Sequence, residues 1–193
     1  MPVLFIIAGC NGAGKTTASY TILPELLNIK EFVNADEIAR GLSPFQPEKL
    51  AIEAGRIMLG RIRSLISQRT DFAFETTLAS RSFVALIDEA KQAGYKVNLL
   101  YYWLDDVDLA IERVRVRVSE GGHNIARDVI VRRYYSGLKN LLTLYIYKVD
   151  FWLLVDNSKK EPEVIAEGNR QNNTVIYNND KFSLIKRLIE DDK

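Results

Sequence analysis

Three observations predict a three-layer α/β sandwich around a mostly parallel, five-stranded sheet. Apolar runs rich in Val, Ile, Phe and Tyr recur along the chain at Val3–Ala8, Glu31–Asn34, Asp71–Glu75, Lys96–Trp103 and Phe151–Asp156. Their near-continuous apolar character is that of strands buried on both faces. Stretches with helical spacing lie between them, at Glu48–Gln68, Arg81–Ala93, Val107–Glu120 and Arg127–Tyr145. Strand and helix in alternation require crossover connections, which make the strands parallel. The third observation is a glycine-rich turn directly after the first run, where a parallel sheet commonly places its ligand.

That turn reads Gly9-Cys10-Asn11-Gly12-Ala13-Gly14-Lys15-Thr16-Thr17. Gly9 and Gly14 bracket four residues ahead of Lys-Thr, the spacing G-x-x-x-x-G-K-[ST] of a phosphate-binding P-loop, so the sandwich is expected to be of the P-loop NTPase type. Successive amides of such a loop point into one concavity at the positive end of the next helix, which favours a nucleotide phosphate. Gly9, Asn11, Gly12, Ala13, Gly14, Lys15, Thr16 and Thr17 are the expected cradle. Lys15 supplies a mobile charge for the β- and γ-phosphates, and the Thr16 hydroxyl is a ligand for Mg²⁺. Cys10 is read as a small residue filling a variable position, although the amide dipoles are of the kind that lower a thiol pKa. The loop identifies a bound triphosphate, not a reaction.

Further along, Asp36 lies two residues beyond the second run in Asn34-Ala35-Asp36-Glu37-Ile38-Ala39-Arg40. A carboxylate there is suited to orient an acceptor hydroxyl, or take its proton, for in-line attack on a γ-phosphate. It equally fits a helix-start acid paired with Arg40 at i,i+4. Glu75 ends the third run and precedes Thr76-Thr77. At a strand end it is placed to hold a metal-bound water or an acceptor hydroxyl, the alternative being a partly buried acid paired with a base. Gly41-Leu42-Ser43-Pro44, Ala93-Gly94 and Asp105-Asp106 mark helix ends and starts. Arg113 to Val118 alternates like a strand, but Asp108–Glu112 leads into it as a helix. The segment is expected to be helical, with Ile111, Val114 and Val118 on one face.

Arg113, Arg117, Arg132 and Arg133 surround Gly121-Gly122-His123-Asn124-Ile125. An arginine delivered by a mobile lid neutralises charge on transferring γ-oxygens, and the glycine pair would supply its hinge. Arg115 and Arg132 read as solvated face, His123 as a surface loop residue, and Trp103 and Trp152 as core. After residue 159 come a polar turn, β-prone pieces around Val164–Ala166 and Thr174–Tyr177 joined by an Asn-rich stretch, and an amphipathic Lys181–Ile189. These predict a hairpin and a helix forming an accessory edge, 159–193, of one domain spanning 1–193.

Composition narrows the partners. The 193 residues are 47% hydrophobic, with 26 Lys and Arg against 25 Asp and Glu and a net charge of +1. No basic stripe for nucleic acid is present. No apolar stretch reaches the ~18–20 residues of a membrane span, and the N-terminus lacks a signal-peptide pattern. One cysteine excludes an internal disulfide and fits a reducing compartment. A cytoplasmic protein is the expectation. The chain lacks the Asn-Lys-x-Asp of a switch GTPase and the Ser-Gly-Gly-rich signature of an ABC domain. A small-molecule kinase is favoured, with a nucleoside or polynucleotide-end kinase and an ATP-hydrolysing partner-binding switch as alternatives.

The combination of Gly9–Thr17, Asn34–Arg40, Phe74-Glu75-Thr76-Thr77-Leu78, Ile111–Arg117, Gly121–Ile125 and Asp156-Asn157-Ser158 resembles the zeta-toxin family of P-loop kinases, in its short zeta-like branch. The match runs over about residues 3 to 158. The resemblance implies ATP-dependent phosphorylation of a sugar hydroxyl on a nucleotide sugar such as UDP-N-acetylglucosamine, with Mg²⁺. It casts Asp36 as the acceptor-activating carboxylate and Glu75 and Thr77 as acceptor-site residues, alongside Arg40 and Arg81. Lys15 and Thr16 become γ-phosphate and Mg²⁺ ligands and Arg113 the first γ-phosphate arginine, with Asp156, Asn157 and Ser158 near the adenine. The toxins carry a second arginine in the segment that here reads Gly121–Ile125. Arg133 is the expected substitute, ahead of His123 and Arg117. An antitoxin protein is a further implied partner, although the toxins' longer N-terminal extension has no counterpart here.

Overall fold

The strand that carries the glycine-rich loop, β1 (Val3–Gly9), lies between β3 (Phe72–Thr76) and β4 (Lys96–Trp103) and runs parallel to both. Leu4, Ile6, Ile7 and Ala8 are all buried, so consecutive side chains pack on both faces of the sheet. The structure, a computed structural model, describes residues 1–122, 124–171 and 173–190. Outside β3 lies β2 (Glu31–Val33), and outside β4 lies β5 (Phe151–Asp156), both parallel to their neighbours. The five expected strands thus stand in the order β2-β3-β1-β4-β5.

The C-terminal hairpin differs from expectation in where it sits. β6 (Glu163–Asn169) and β7 (Thr174–Ile176) continue the same sheet antiparallel to β5, making seven strands. The reason is the open edge of β5, whose amides and carbonyls need partners. Trp152 helps to set the pairing: a Cβ at Gly168 would meet its indole at 2.6 Å, so only glycine admits the ring there.

Seven α-helices flank the sheet among the described residues: α1 (Lys15–Thr21), α2 (Ala35–Leu42), α3 (Ala51–Gln68), α4 (Phe83–Gln92), α5 (Val107–Ser119), α6 (Arg127–Thr143) and α7 (Asn179–Glu190). Pro24 has no amide to continue α1, and the chain widens into a π-helical turn over Ile22–Leu26. The expected start of the third helix at Glu48 is instead a 3-10 turn, Pro47–Leu50, that runs into α3. The Arg113–Val118 segment is helical, as the capping chemistry demands: Asp106 accepts from the Asp108 amide, and Ala110 and Val114 are buried one turn apart. Its alternation is incidental, since Val116 faces solvent.

Chain order fixes the place for a ligand. The connection leaving β1 passes to β2 on one side, whereas the connection leaving β3 passes to β4 on the other. The crevice beyond the carboxyl ends of β1 and β3 is therefore the switch point of the sheet. No helix among the described residues is long and apolar enough to cross a membrane.

Candidate active site

The loop after β1 is held by close packing and by hydrogen bonds from two other segments. Gly9 has φ of 140°, and a Cβ there would meet the Tyr102 carbonyl oxygen at 2.2 Å. Gly14 has φ of 80°, in the left-handed region where it caps α1. Lys15 is folded back over the loop, donating from Nζ to the Cys10 carbonyl at 2.9 Å. From the end of β5, Asn157 Nδ2 donates to the Ala13 carbonyl at 2.8 Å. From α5, Arg113 donates to the Asn157 and Ser158 carbonyls, each at 2.9 Å. The loop, the start of α1 and α5 together line a cleft of about 410 Å³, with Thr16, Thr17, Arg113 and Arg117 among its walls.

On the other side of Glu75 a second cleft, of about 370 Å³, opens between α2, α3 and α4. Its inner end is organised by Asn34, the N-cap of α2. Asn34 Oδ1 accepts from the Asp36 and Glu37 amides, at 2.8 and 3.5 Å, while its Nδ2 donates to Glu75 Oε2 at 2.9 Å. Thr16 Oγ1 donates to that same oxygen at 2.7 Å, and Lys15 Nζ lies 3.4 Å from Glu75 Oε1. Glu75 therefore ties the P-loop to the helix that carries Asp36. Both clefts share Asn11, Lys15, Asp36 and Glu75. Asp36 is thus placed between the phosphate loop and the second cleft.

Arg133 reaches this junction from α6, donating to Asn11 Oδ1 at 3.2 Å. Burial holds its guanidinium below the usual value, the Asp36 carboxylate opposing the shift and Arg132 adding to it. At such a basic group the charge persists. Thr77 lines the second cleft on a loop that α6 clamps. Asn140 Nδ2 donates to the Leu78 carbonyl at 2.8 Å, and Gly137 lets α6 approach so closely that a Cβ would meet the Thr77 carbonyl at 2.3 Å. Leu78, wholly buried, is held at φ of 54°, a strained conformation for a leucine that these contacts enforce.

The other expected site residues fall in different places. Arg40 lines an adjoining groove of about 320 Å³ with Glu37, Phe45 and Arg117, which Asp36 also reaches. Arg81 does not line either cleft, although its neighbours Ser82 and Phe83 do. His123 lies outside the described residues. Asp156 is turned away from the clefts and accepts from Lys181 of α7 and from Ser158. Burial pushes its carboxyl up, but those hydrogen bonds outweigh burial and hold it below 3.8. Cys10 is buried, and desolvation pushes its thiol to about 11 despite the pull of Lys15, so the loop does not generate a reactive thiolate. Asn34, Arg56 and Asn140 are site residues that sequence reasoning missed. Asn34 was readable as an N-cap three residues ahead of Glu37; Arg56 and Asn140 had no local signal.

Thr16 and Glu75 offer adjacent hard-oxygen donors, and among the described residues no cluster of three or more His, Cys, Asp or Glu could hold a metal alone. That donor set fits Mg²⁺, which keeps waters and phosphate oxygens and takes few protein ligands.

Comparison with known proteins places this geometry in a lineage. A protein of Haemophilus influenzae described as uncharacterized is 33% identical over 126 residues, 65% of this chain and 88% of that one. The crystal structure of AvrRxo1-ORF1:-ORF2 with ATP superposes with a TM-score of 0.74 at 16% identity, covering 96% of this chain and 63% of the other. The present chain thus spans less than two thirds of that longer protein. The PezAT chromosomal toxin-antitoxin system of Streptococcus pneumoniae gives a TM-score of 0.65 at 14% identity, covering 99% of this chain and 87% of its own. These likenesses are of fold, a mixed α/β P-loop kinase architecture. The family model for the zeta toxin matches residues 1–182, and the chain belongs to that family.

Proposed function

We propose that the protein is an ATP-dependent kinase that transfers the γ-phosphate to a hydroxyl of a small acceptor, a nucleotide sugar such as UDP-N-acetylglucosamine. The observation that carries this reading is Asp36, which lines both the P-loop cleft and the adjoining one. A hydrolase has no need of a second cleft beside its γ-phosphate.

In this scheme the P-loop amides cradle the β-phosphate, and Lys15 leaves the Cys10 carbonyl to meet the γ-phosphate. Thr16 and Glu75 would hold Mg²⁺, which would supply charge neutralisation at the phosphate oxygens. Asp36 accepts a hydrogen bond from the acceptor hydroxyl, aligns its oxygen for in-line attack and takes the proton as the new P–O bond forms and the bond from the γ-phosphorus to the β–γ bridging oxygen breaks, releasing ADP. Arg133, beside Asn11, stabilises the transferring charge, and Arg113 contributes if it is released from the Asn157 and Ser158 carbonyls. Thr77, on its clamped loop, positions the acceptor, with Arg40 and Arg81 at its periphery. The PezAT likeness supports an antitoxin partner, the AvrRxo1-ORF1:-ORF2 complex supports a bound protein partner, and a cytoplasmic location accords with the lone buried cysteine.

The test is incubation of the protein with Mg-ATP and a panel of UDP-sugars, read by mass spectrometry. One phosphate is expected to appear on an acceptor, and Asp36→Asn is expected to lower that rate by about 10²–10⁴-fold with ATP affinity intact. Hydrolysis of ATP without any phosphorylated acceptor overturns the kinase reading in favour of a switch.

A further inference from the structure

One wall of the second cleft takes no part in the chemistry above. Ile52, Gly55, Arg56 and Leu59 recur at i, i+3, i+4 and i+7 on α3, so they share one face, and this face lines the cleft together with Phe83 of α4. Its composition is odd for a solvated surface. Ile52 is 76% exposed, and Arg56 makes no hydrogen bond or ion pair among the described residues. The other cations of the cleft, Lys15 and Arg133, are each bonded to the P-loop, at the Cys10 carbonyl and at Asn11. Gly55 leaves the wall flat: a Cβ there would meet nothing within 4 Å. A glycine inside an 18-residue helix costs about 1 kcal/mol relative to alanine, so its presence calls for a reason.

We infer that this face of α3 is the acceptor-recognition wall, in which Arg56 binds an anionic group of the acceptor and Gly55 keeps open the space its ring occupies. The inference rests on the kinase reading. At the inner end Lys15 and Arg133 balance Asp36 and Glu75 and are engaged with the P-loop, whereas Arg56 at the other end has its guanidinium free for an anion, so the cleft orients its ligand with the hydroxyl towards Asp36. The apolar faces of Ile52, Leu59 and Phe83 lie between those ends and fit the ring of a sugar. The acceptor class is therefore a ring-bearing hydroxyl compound with phosphate or carboxylate oxygens distal to the reacting hydroxyl, which the planar fork of Arg56 is shaped to grip.

The test is calorimetric binding, in the presence of a non-hydrolysable ATP analogue and Mg²⁺. The probes are neutral N-acetylglucosamine, N-acetylglucosamine 1-phosphate, glucuronate and UDP-N-acetylglucosamine. The unmodified protein is expected to prefer at least one anionic probe over the neutral sugar by about tenfold or more, the phosphate and carboxylate arms showing which anion is selected. Arg56→Gln is expected to abolish that preference, and Arg56→Lys to restore part of it. Gly55→Leu is expected to raise the Tm yet weaken every probe by about tenfold, whereas Gly60→Leu, on the same helix but outside the cleft, raises the Tm without affecting binding. The inference is overturned if no anionic probe is preferred, if the preference survives Arg56→Gln, or if Gly55→Leu binds as the unmodified protein does. Discriminating binding with no phosphorylated product would instead overturn the kinase reading and leave the wall standing.

Discussion

The two clefts that meet at Asp36 are built in opposite ways. The phosphate side is tied down: Asn157 and Lys15 bond to loop carbonyls, Arg113 braces the Asn157 and Ser158 carbonyls behind them, and Gly9 packs without room for a Cβ. The α3 wall of the acceptor side carries exposed Ile52 and Arg56, which has no hydrogen-bond or ion-pair partner among the described residues. A triphosphate is the same ligand in every P-loop protein, so its site can be preorganised by backbone amides. An acceptor differs from kinase to kinase, and its site is assembled from replaceable side chains on helix faces. The loop that carries Thr77 is the exception, because α6 clamps it; under the proposed function that rigidity would hold the reacting hydroxyl against a fixed γ-phosphate.

The contrast is open to direct attack. Lys15→Met strikes the tied-down side, and phosphoryl transfer and ATP hydrolysis are both expected to fall by about a thousandfold in steady-state assays. Turnover at the unmodified rate would remove the P-loop from the mechanism. Glu75→Gln sharpens the boundary, because Glu75 lines both clefts yet bonds to Lys15 and Thr16. We expect about a 10–100-fold lower kcat, with the KM for ATP rising more than the KM for the acceptor. The reverse split would assign Glu75 to the acceptor side. The smallest effect concerns Cys10. With a thiol pKa raised to about 11, it is expected to resist iodoacetamide at pH 8 and to label only when denaturant opens the fold. The sign follows from the raised value: the thiol's contribution to stability is complete below its ordinary pKa of 9.0 and is lost as pH rises through about 11. Rapid labelling at pH 8 would show that the loop opens readily and would break the contrast at its firmest point.

Much of this was legible because it is local. Gly9 to Thr17 specifies its own conformation, since positive φ at Gly9 and Gly14 and a helix starting at Lys15 are properties of adjacent residues. The parallel strands were legible because two-sided burial leaves a continuous apolar run. The helix over Arg113–Val118 was harder, and its capping Asp106 decided it against the alternating pattern. Arg113 shows where local reasoning ends. The family resemblance cast it as a γ-phosphate ligand, and only the structure shows that its guanidinium rests on the Asn157 and Ser158 carbonyls, which lie more than forty residues away in sequence. The hairpin was legible as a hairpin, but its attachment to β5 was not, because an open strand edge is a feature of the assembled sheet.

By itself the sequence determined a phosphate-binding loop, a parallel α/β sandwich and the carboxylates Asp36 and Glu75 as candidates for chemistry, since each follows from spacing within one element. Only the tertiary structure decided that Glu75 bridges Lys15, Thr16 and Asn34, that Asp36 stands between two clefts, and that Arg56 faces the second of them. Those facts depend on strand order. Placing β3 beside β1 brings residues 59 and 60 positions apart into hydrogen-bond and ion-pair range, a juxtaposition that no local periodicity encodes.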